Sequence, residues 1–153
     1  MTIAIDIEDG AWEKVPGLAA LAERAAAAAL EGRGAAGPVT LLFTNDAEMQ
    51  AMNRDWRGMD KPTNVLSFPS PDGMPVPEGE AAPLGDIALA CETVEREAAE
   101  QGKTMSAHAT HLIVHGMLHL LGYDHETDGE AEEMENEERL ILARLGIADP
   151  YES

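Results

Sequence analysis

The sequence is poor in cysteine and has no long apolar run. The one cysteine, Cys91, excludes an intrachain disulfide and gives no reason to place the protein in an oxidising compartment. We expect Cys91 to be a small buried residue in a strand. No segment approaches the length that crosses a bilayer, and the first eight residues lack the basic start and apolar core of a signal peptide. A cytoplasmic protein without a membrane partner is therefore expected.

Basic residues are scarce, with 10 Lys and Arg against 29 Asp and Glu and a formal net charge of −19. Such a balance ordinarily argues against a nucleic-acid partner, because phosphate binding draws on Lys and Arg. The acidic and basic residues are not evenly distributed along the chain, however, so the net charge alone does not exclude a nucleic-acid partner. Residues 124–138 include nine acidic residues and no basic one, which we interpret as a solvated helix face. Arg54, Arg57 and Lys61 lie together elsewhere, so a local basic patch is compatible with the acidic whole.

Hydrophobic periodicity predicts a single α+β domain over residues 1–153, and the hydrophobic content of 44% is enough for a core. Strands are predicted over residues 3–7, 39–44, 64–68 and 84–91. Helices are predicted over residues 16–31, 45–56, 92–101, 105–121 and 130–145. The order is βαβαββααα, and we expect each βαβ unit to hold its strands parallel. A proline-rich surface loop at residues 69–83 permits the third and fourth strands to pair antiparallel. The expected fold is a small mixed four-stranded sheet packed with about five helices.

All five histidines of the chain fall within residues 108–125. His115 and His119 are four residues apart, so a helix would present both imidazoles on one face. Gly122 lets the chain leave that helix with a positive φ, which could swing His125 back towards the other two. Three neutral imidazoles suit zinc and leave a coordination position open, which is typical of a catalytic site.

This spacing matches the zinc-protease signature H-E-x-x-H-x-x-G-x-x-H at every ligand position and at the glycine. Gly116 stands where those proteases carry the glutamate that acts as general base, so peptide hydrolysis by that route loses its proton acceptor. A fourth ligand from Asp124 or Glu126 would instead favour a structural zinc.

Five other polar residues near these motifs have two interpretations each. His108 and His111 are expected to be exposed or hydrogen-bonded helix positions, with support of a ligating imidazole as the alternative. Asp124 is expected to form a turn, although it could orient a ligand. Asp86 and Asn64 lie at strand ends, where they could support the site or cap a turn.

Two further segments accompany the histidines, R-G-M-D-K-P-T-N-V-L-S-F-P at residues 57–69 and L-G-D-I at residues 84–87. Together with residues 115–125 they resemble the YbeY family, bacterial rRNA maturation factors described as metal-dependent endoribonucleases. The resemblance runs in order over nearly the whole length. It implies a single-strand-specific endoribonuclease that acts in rRNA maturation, at the 3′ end of 16S rRNA, and in ribosome quality control.

The resemblance also implies particular site residues and partners. One zinc ion per chain is expected on His115, His119 and His125, and Arg57 corresponds to an arginine tied to activity. That arginine could pair with a phosphate and offset charge that builds in the transition state. The implied partners are a single-stranded precursor of small-subunit rRNA, the small ribosomal subunit, one of its proteins and an assembly GTPase, with no DNA.

Two other functions fit the same motifs. A non-catalytic ribosome assembly factor could hold zinc for stability alone. A metallohydrolase of non-RNA substrates would keep the metal but lacks the expected base at Gly116.

Overall fold

A computed structural model of the chain describes residues 3–31, 37–70, 83–123 and 126–147. The strands found there are β1 (Ile3–Ile7), β2 (Val39–Thr44), β3 (Val65–Pro69) and β4 (Gly85–Ala90). The α-helices are α1 (Leu18–Leu30), α2 (Asp46–Arg57), α3 (Cys91–Glu100), α4 (Met105–Leu120) and α5 (Asp128–Arg144). This order confirms the predicted α+β class. Within the described ranges, no helix is long and apolar enough to cross a membrane.

The four strands form one mixed sheet in the order β1-β2-β4-β3. β1 pairs parallel with β2, β2 pairs parallel with β4, and β3 pairs antiparallel with β4. The antiparallel pairing of β3 with β4 agrees with the prediction. The expectation that every βαβ unit holds its strands parallel was wrong for the unit of β2, α2 and β3, because β2 and β3 run in opposite directions. β4 takes an inner position, which agrees with the burial of nearly all of its residues. β3 ends in Pro69, which has no N–H to donate and suits an edge strand.

The two faces of the sheet are covered by different helices. Leu41, Phe43 and Ile87 belong to the main core, together with residues of α1 and α4. Leu66 and Ala88 point to the opposite face and pack near Met49 of α2. Alternation along β4 therefore separates the side chains that lie under α4 from those that lie under α2.

Several element boundaries differ from the predictions. The first predicted helix begins two residues later than expected, as α1, and a short 3-10 helix, Gly10–Lys14, precedes it. The predicted helix cap at Asn45 is confirmed, since its side chain accepts the Glu48 N–H at 2.8 Å. Cys91 is buried as expected, but it begins α3 instead of ending a strand, and burial raises the pKa of its thiol to about 11. Most of the predicted proline-rich loop, residues 71–82, lies outside the described residues.

Candidate functional site

The candidate site is built on α4, the helix at the centre of the molecule. Its first turn is capped by Thr104, whose hydroxyl accepts the Ala107 N–H at 3.0 Å. One face of α4 is buried in the core, and His115 and His119 are part of another face that remains partly exposed. The predicted four-residue spacing brings the Nε2 atoms of the two rings to within 3.1 Å of each other.

The other nitrogen of each ring has an acceptor of its own. His115 Nδ1 donates to Glu138 Oε1 at 2.5 Å, and His119 Nδ1 donates to the Tyr123 carbonyl oxygen at 3.1 Å. A carboxylate and a carbonyl can only accept, so the Nδ1 atoms carry the protons. The Nε2 lone pairs of both rings are then directed at one point. This arrangement of imidazoles and acceptors fits a shared divalent metal ion.

The chain turns back directly after these histidines. Gly122 has a φ of +100°, as the sequence predicted, and its N–H donates to the His119 carbonyl oxygen at 3.1 Å. The third predicted ligand, His125, and its neighbour Asp124 lie outside the described residues. Among the residues the structure does describe, no three His, Cys, Asp or Glu side chains form a set able to hold a metal ion. Glu126, considered as a fourth ligand, is exposed.

An open groove of about 530 Å³ contains the exposed edges of both histidines. Its walls come from the end of α2, from β3 and from the end of α4. The lining residues are Arg57, Asn64, Val65, Leu66, Ser67, Pro69, His115, His119, Gly122 and Tyr123. The segment of residues 57–69 and the histidine segment, distant in sequence, therefore form one surface.

Arg57 is the cation of this groove. It is the last residue of α2, its side chain is exposed, and it makes no ion pair with any residue in the described ranges. Arg54 instead lies 3.4 Å from a carboxylate oxygen of Asp55 and 3.9 Å from one of Asp60. Lys61 is exposed but is not part of the groove wall. The predicted basic patch thus contributes one unpaired charge to the groove.

Gly116 faces the sheet rather than the groove. A Cβ atom there would lie 3.0 Å from Ile87 Cγ2 and 3.0 Å from Ser67 Oγ. The Ser67 hydroxyl also donates to the Gly116 carbonyl oxygen at 3.2 Å. A glutamate, the residue that zinc proteases use as general base, would crowd the sheet at this position and would leave it facing away from the groove.

Glu138 is the residue of the site that the sequence did not reveal. It is fully buried, and its Oε2 accepts from His111 Nε2 at 3.0 Å while its Oε1 accepts from His115. The interpretation of residues 124–138 as a solvated face is therefore wrong for Glu138. Its helical spacing could have indicated this burial, because Glu138 lies on the same stripe of α5 as the apolar residues Met134 and Ile141, which are buried.

His108 and Asn64 meet at a second carboxylate, that of Glu97 on α3. His108 Nε2 and Asn64 Nδ2 both lie 2.9 Å from Glu97 Oε1. Burial lowers the pKa of His108, and the hydrogen bond to Glu97 opposes that shift. His108 and His111 are hydrogen-bonded, as one of the predicted alternatives held, but neither is exposed.

Asn64 and Asp86 have different places in the structure. Asn64 lines the groove, and its Oδ1 accepts the Val65 N–H at 2.7 Å, so it caps the start of β3. Asp86 is exposed and lines a separate cavity with Ala88, on the face of the sheet away from the histidines.

Comparison with known proteins gives matches over nearly the whole chain. A family model described as endoribonuclease YbeY matches residues 7–146. A protein named endoribonuclease YbeY from Chelativorans sp. (strain BNC1) is 55% identical, with 98% of this chain and 93% of that protein covered. One of the same name from Erythrobacter litoralis is 53% identical, with 99% and 98% covered.

A solved structure supports the fold. The solution structure of a Thermotoga maritima protein matches with a TM-score of 0.59 at 25% sequence identity, covering 99% of this chain and all of that one. The chain belongs to the endoribonuclease YbeY family.

Proposed function

We propose that the protein is a zinc-dependent endoribonuclease that cleaves single-stranded RNA during rRNA maturation, at the 3′ end of 16S rRNA, and in ribosome quality control. The observation that carries the proposal is the convergence of the His115 and His119 Nε2 atoms, 3.1 Å apart, in an open groove that also contains Arg57. The relatives named endoribonuclease YbeY support the reaction class.

His115, His119 and His125 would hold the metal, and one zinc ion is expected per chain. The contacts of His115 and His119 support this assignment, since both Nδ1 atoms lie at hydrogen-bond distance from acceptors. Zinc bound there supplies Lewis acidity, which polarises a phosphoryl oxygen and makes a water molecule more acidic. The crowding that a side chain would meet at Gly116 disfavours peptide hydrolysis by the zinc-protease route.

Arg57 is proposed as the catalytic residue that contacts the scissile phosphate. It lies on the wall of the groove that contains the histidines, and no carboxylate in the described part of the chain neutralises it. A guanidinium can donate two parallel hydrogen bonds to a phosphate. Such donors stabilise the negative charge that builds on the phosphoryl oxygens in the transition state.

The proposed setting is the bacterial cytoplasm, with the whole chain acting as one domain. The proposed partners are precursor rRNA of the small subunit, the small ribosomal subunit, one ribosomal protein and an assembly GTPase. A groove that is open to solvent and has a cation on its wall suits an extended single strand, whose phosphates can follow it.

The test is cleavage of one sequence presented in three forms, as labelled single-stranded RNA, as an RNA duplex and as single-stranded DNA. Purified protein is assayed as isolated, after removal of metal by a chelator, and after return of one equivalent of zinc. We expect cleavage of single-stranded RNA alone, lost with the metal and restored by zinc. Stoichiometric zinc without cleavage of any form would overturn the nuclease and favour the non-catalytic assembly factor.

A further inference from the structure

We propose that Glu138 is a positioning residue of the metal centre, which acts through His115 without touching substrate or metal. The proposal deepens the function proposed above and rests on it, because it assigns the residue that fixes one of the metal ligands. It assigns a role to α5, a helix that contributes none of the predicted zinc ligands.

The contact with Glu138 determines which nitrogen of His115 carries the proton. Glu138 Oε1 lies 2.5 Å from His115 Nδ1, the nitrogen that points away from His119. Because a carboxylate accepts and does not donate, the contact keeps the His115 proton on Nδ1. The Nε2 lone pair is then permanently available on the side where His119 Nε2 lies. A hydrogen bond of this kind also fixes the ring orientation and makes the imidazole a better ligand.

The carboxylate of Glu138 is buried within an apolar stripe of α5. Glu138 is 0% exposed, and an ionised side chain so placed costs several kcal/mol unless its partners compensate. An apolar residue would serve α5 better at this position, since the stripe around it contains Met134, Ile141 and Leu142. A carboxylate in this apolar stripe is explained if it orients a ligand and supplies negative charge near a bound dication.

The second oxygen of the Glu138 carboxylate contacts another histidine of α4. Glu138 Oε2 accepts from His111 Nε2 at 3.0 Å, one helical turn before His115 on α4. The carboxylate thus bridges two successive turns of the same helix and cannot rotate without losing one of these bonds. His111 thereby holds Glu138 in the orientation that serves His115.

The test uses two substitutions and a matched control. Glu138→Gln removes the charge, and Glu138→Met removes both acceptors while keeping an apolar side chain that suits the stripe and guards against failure to fold. Glu133→Gln makes the same charge change on the same helix at an exposed position. Zinc affinity is measured by competition with a chelator, and nitrogen NMR of the metal-free proteins reports which nitrogen of His115 carries the proton.

We expect both Glu138 variants to fold and to bind zinc about 10- to 100-fold more weakly than wild type. Glu138→Met should also lose the fixed Nδ1–H form of His115, whereas glutamine keeps one oxygen that can accept this proton. Glu133→Gln should match wild type in both measurements. Wild-type zinc affinity and an unchanged Nδ1–H signal in a folded Glu138→Met protein would overturn the positioning role alone. Failure of the wild-type protein to bind zinc would instead overturn the metal centre itself and, with it, the positioning role.

Discussion

Arg57 is the residue whose charge most directly faces the groove, and its replacement tests whether that charge serves the reaction. We expect Arg57→Ala to lower the cleavage rate by roughly 10²- to 10³-fold, the usual cost of losing one transition-state donor. The plot of the logarithm of RNA affinity against the logarithm of salt concentration should also become less steep, by about the slope of one phosphate contact. Rates and affinities on single-stranded RNA at several salt concentrations measure both effects.

Arg54→Ala is the matched control, because Arg54 is also an exposed arginine of α2 but is paired with Asp55 and Asp60. Its loss should leave the rate within a few fold of wild type. Equal activities of the Arg57→Ala and wild-type proteins would remove Arg57 from the mechanism.

At the level of single residues, the sequence predicted what depends on local spacing. His115 and His119 are four apart on a helix, so their meeting required no knowledge of the fold. The role of Glu138 depends on how α5 packs against α4, and its partners lie 23 and 27 residues away. No local pattern places those side chains together.

The start of β4 depends on Gly85, which lies close against the end of β3 and the end of α4. Its φ is +145°, and a Cβ atom would lie 2.4 Å from the Phe68 carbonyl oxygen and 2.9 Å from Leu120 Cδ2. We expect Gly85→Ala to lower the free energy of unfolding by about 2 kcal/mol or more, from backbone strain and overpacking together. Urea unfolding measures the change.

Gly129→Ala is the control for that substitution. Gly129 lies in the first turn of α5 and has no positive φ, and a Cβ atom added there would meet no neighbouring atom within 4 Å. Alanine should be neutral or slightly stabilising there. Similar unfolding midpoints for the two variants would contradict the crowding inferred at Gly85.

The hydrogen bond between His108 of α4 and Glu97 of α3 should make the free energy of unfolding depend on pH. Burial lowers the pKa of His108 in the folded protein, so the unfolded chain binds more protons below about pH 6.5. The stability that comes from burying neutral His108 is therefore fully present above that pH. It is lost as the pH falls through the folded pKa of His108. We expect the free energy of unfolding to fall over this range in wild type and to fall less in His108→Gln.

Denaturant unfolding at a series of pH values measures this difference, since the other histidines contribute equally to both proteins. Glutamine can still donate to Glu97, which keeps the contact between the helices. Parallel curves of stability against pH would show that His108 does not titrate as its burial implies.

At the level of elements, the sequence predicted each α-helix and each strand that the structure describes, but it predicted neither the short 3-10 helix nor the whole strand order. The period of the apolar residues identified β1 to β4, whereas the insertion of β4 between β2 and β3 depends on which strand buries both faces. Asp86 shows the consequence. Its place in the chain fits a site residue, yet the alternation of β4 directs it to the sheet face away from the histidines.

The net charge of −19 restricts how RNA can approach the whole molecule. The exposed face of α5 carries Glu132 and Glu133, and the cavity under the other sheet face is lined by acidic Asp6 and Glu8. Both surfaces repel a phosphate backbone. The side of the groove with Arg57 is more favourable for a phosphate backbone than either of these two surfaces.

The central claim is that the histidine centre holds a zinc ion that RNA cleavage requires. Its most direct test measures zinc per chain and cleavage of single-stranded RNA on the same preparations of wild type, His119→Ala and His108→Gln. His108→Gln is the control, because His108 lies on the same helix but pairs with Glu97. We expect one zinc and full cleavage in wild type and the control, and neither in His119→Ala. Cleavage at the wild-type rate by zinc-free His119→Ala would contradict the account.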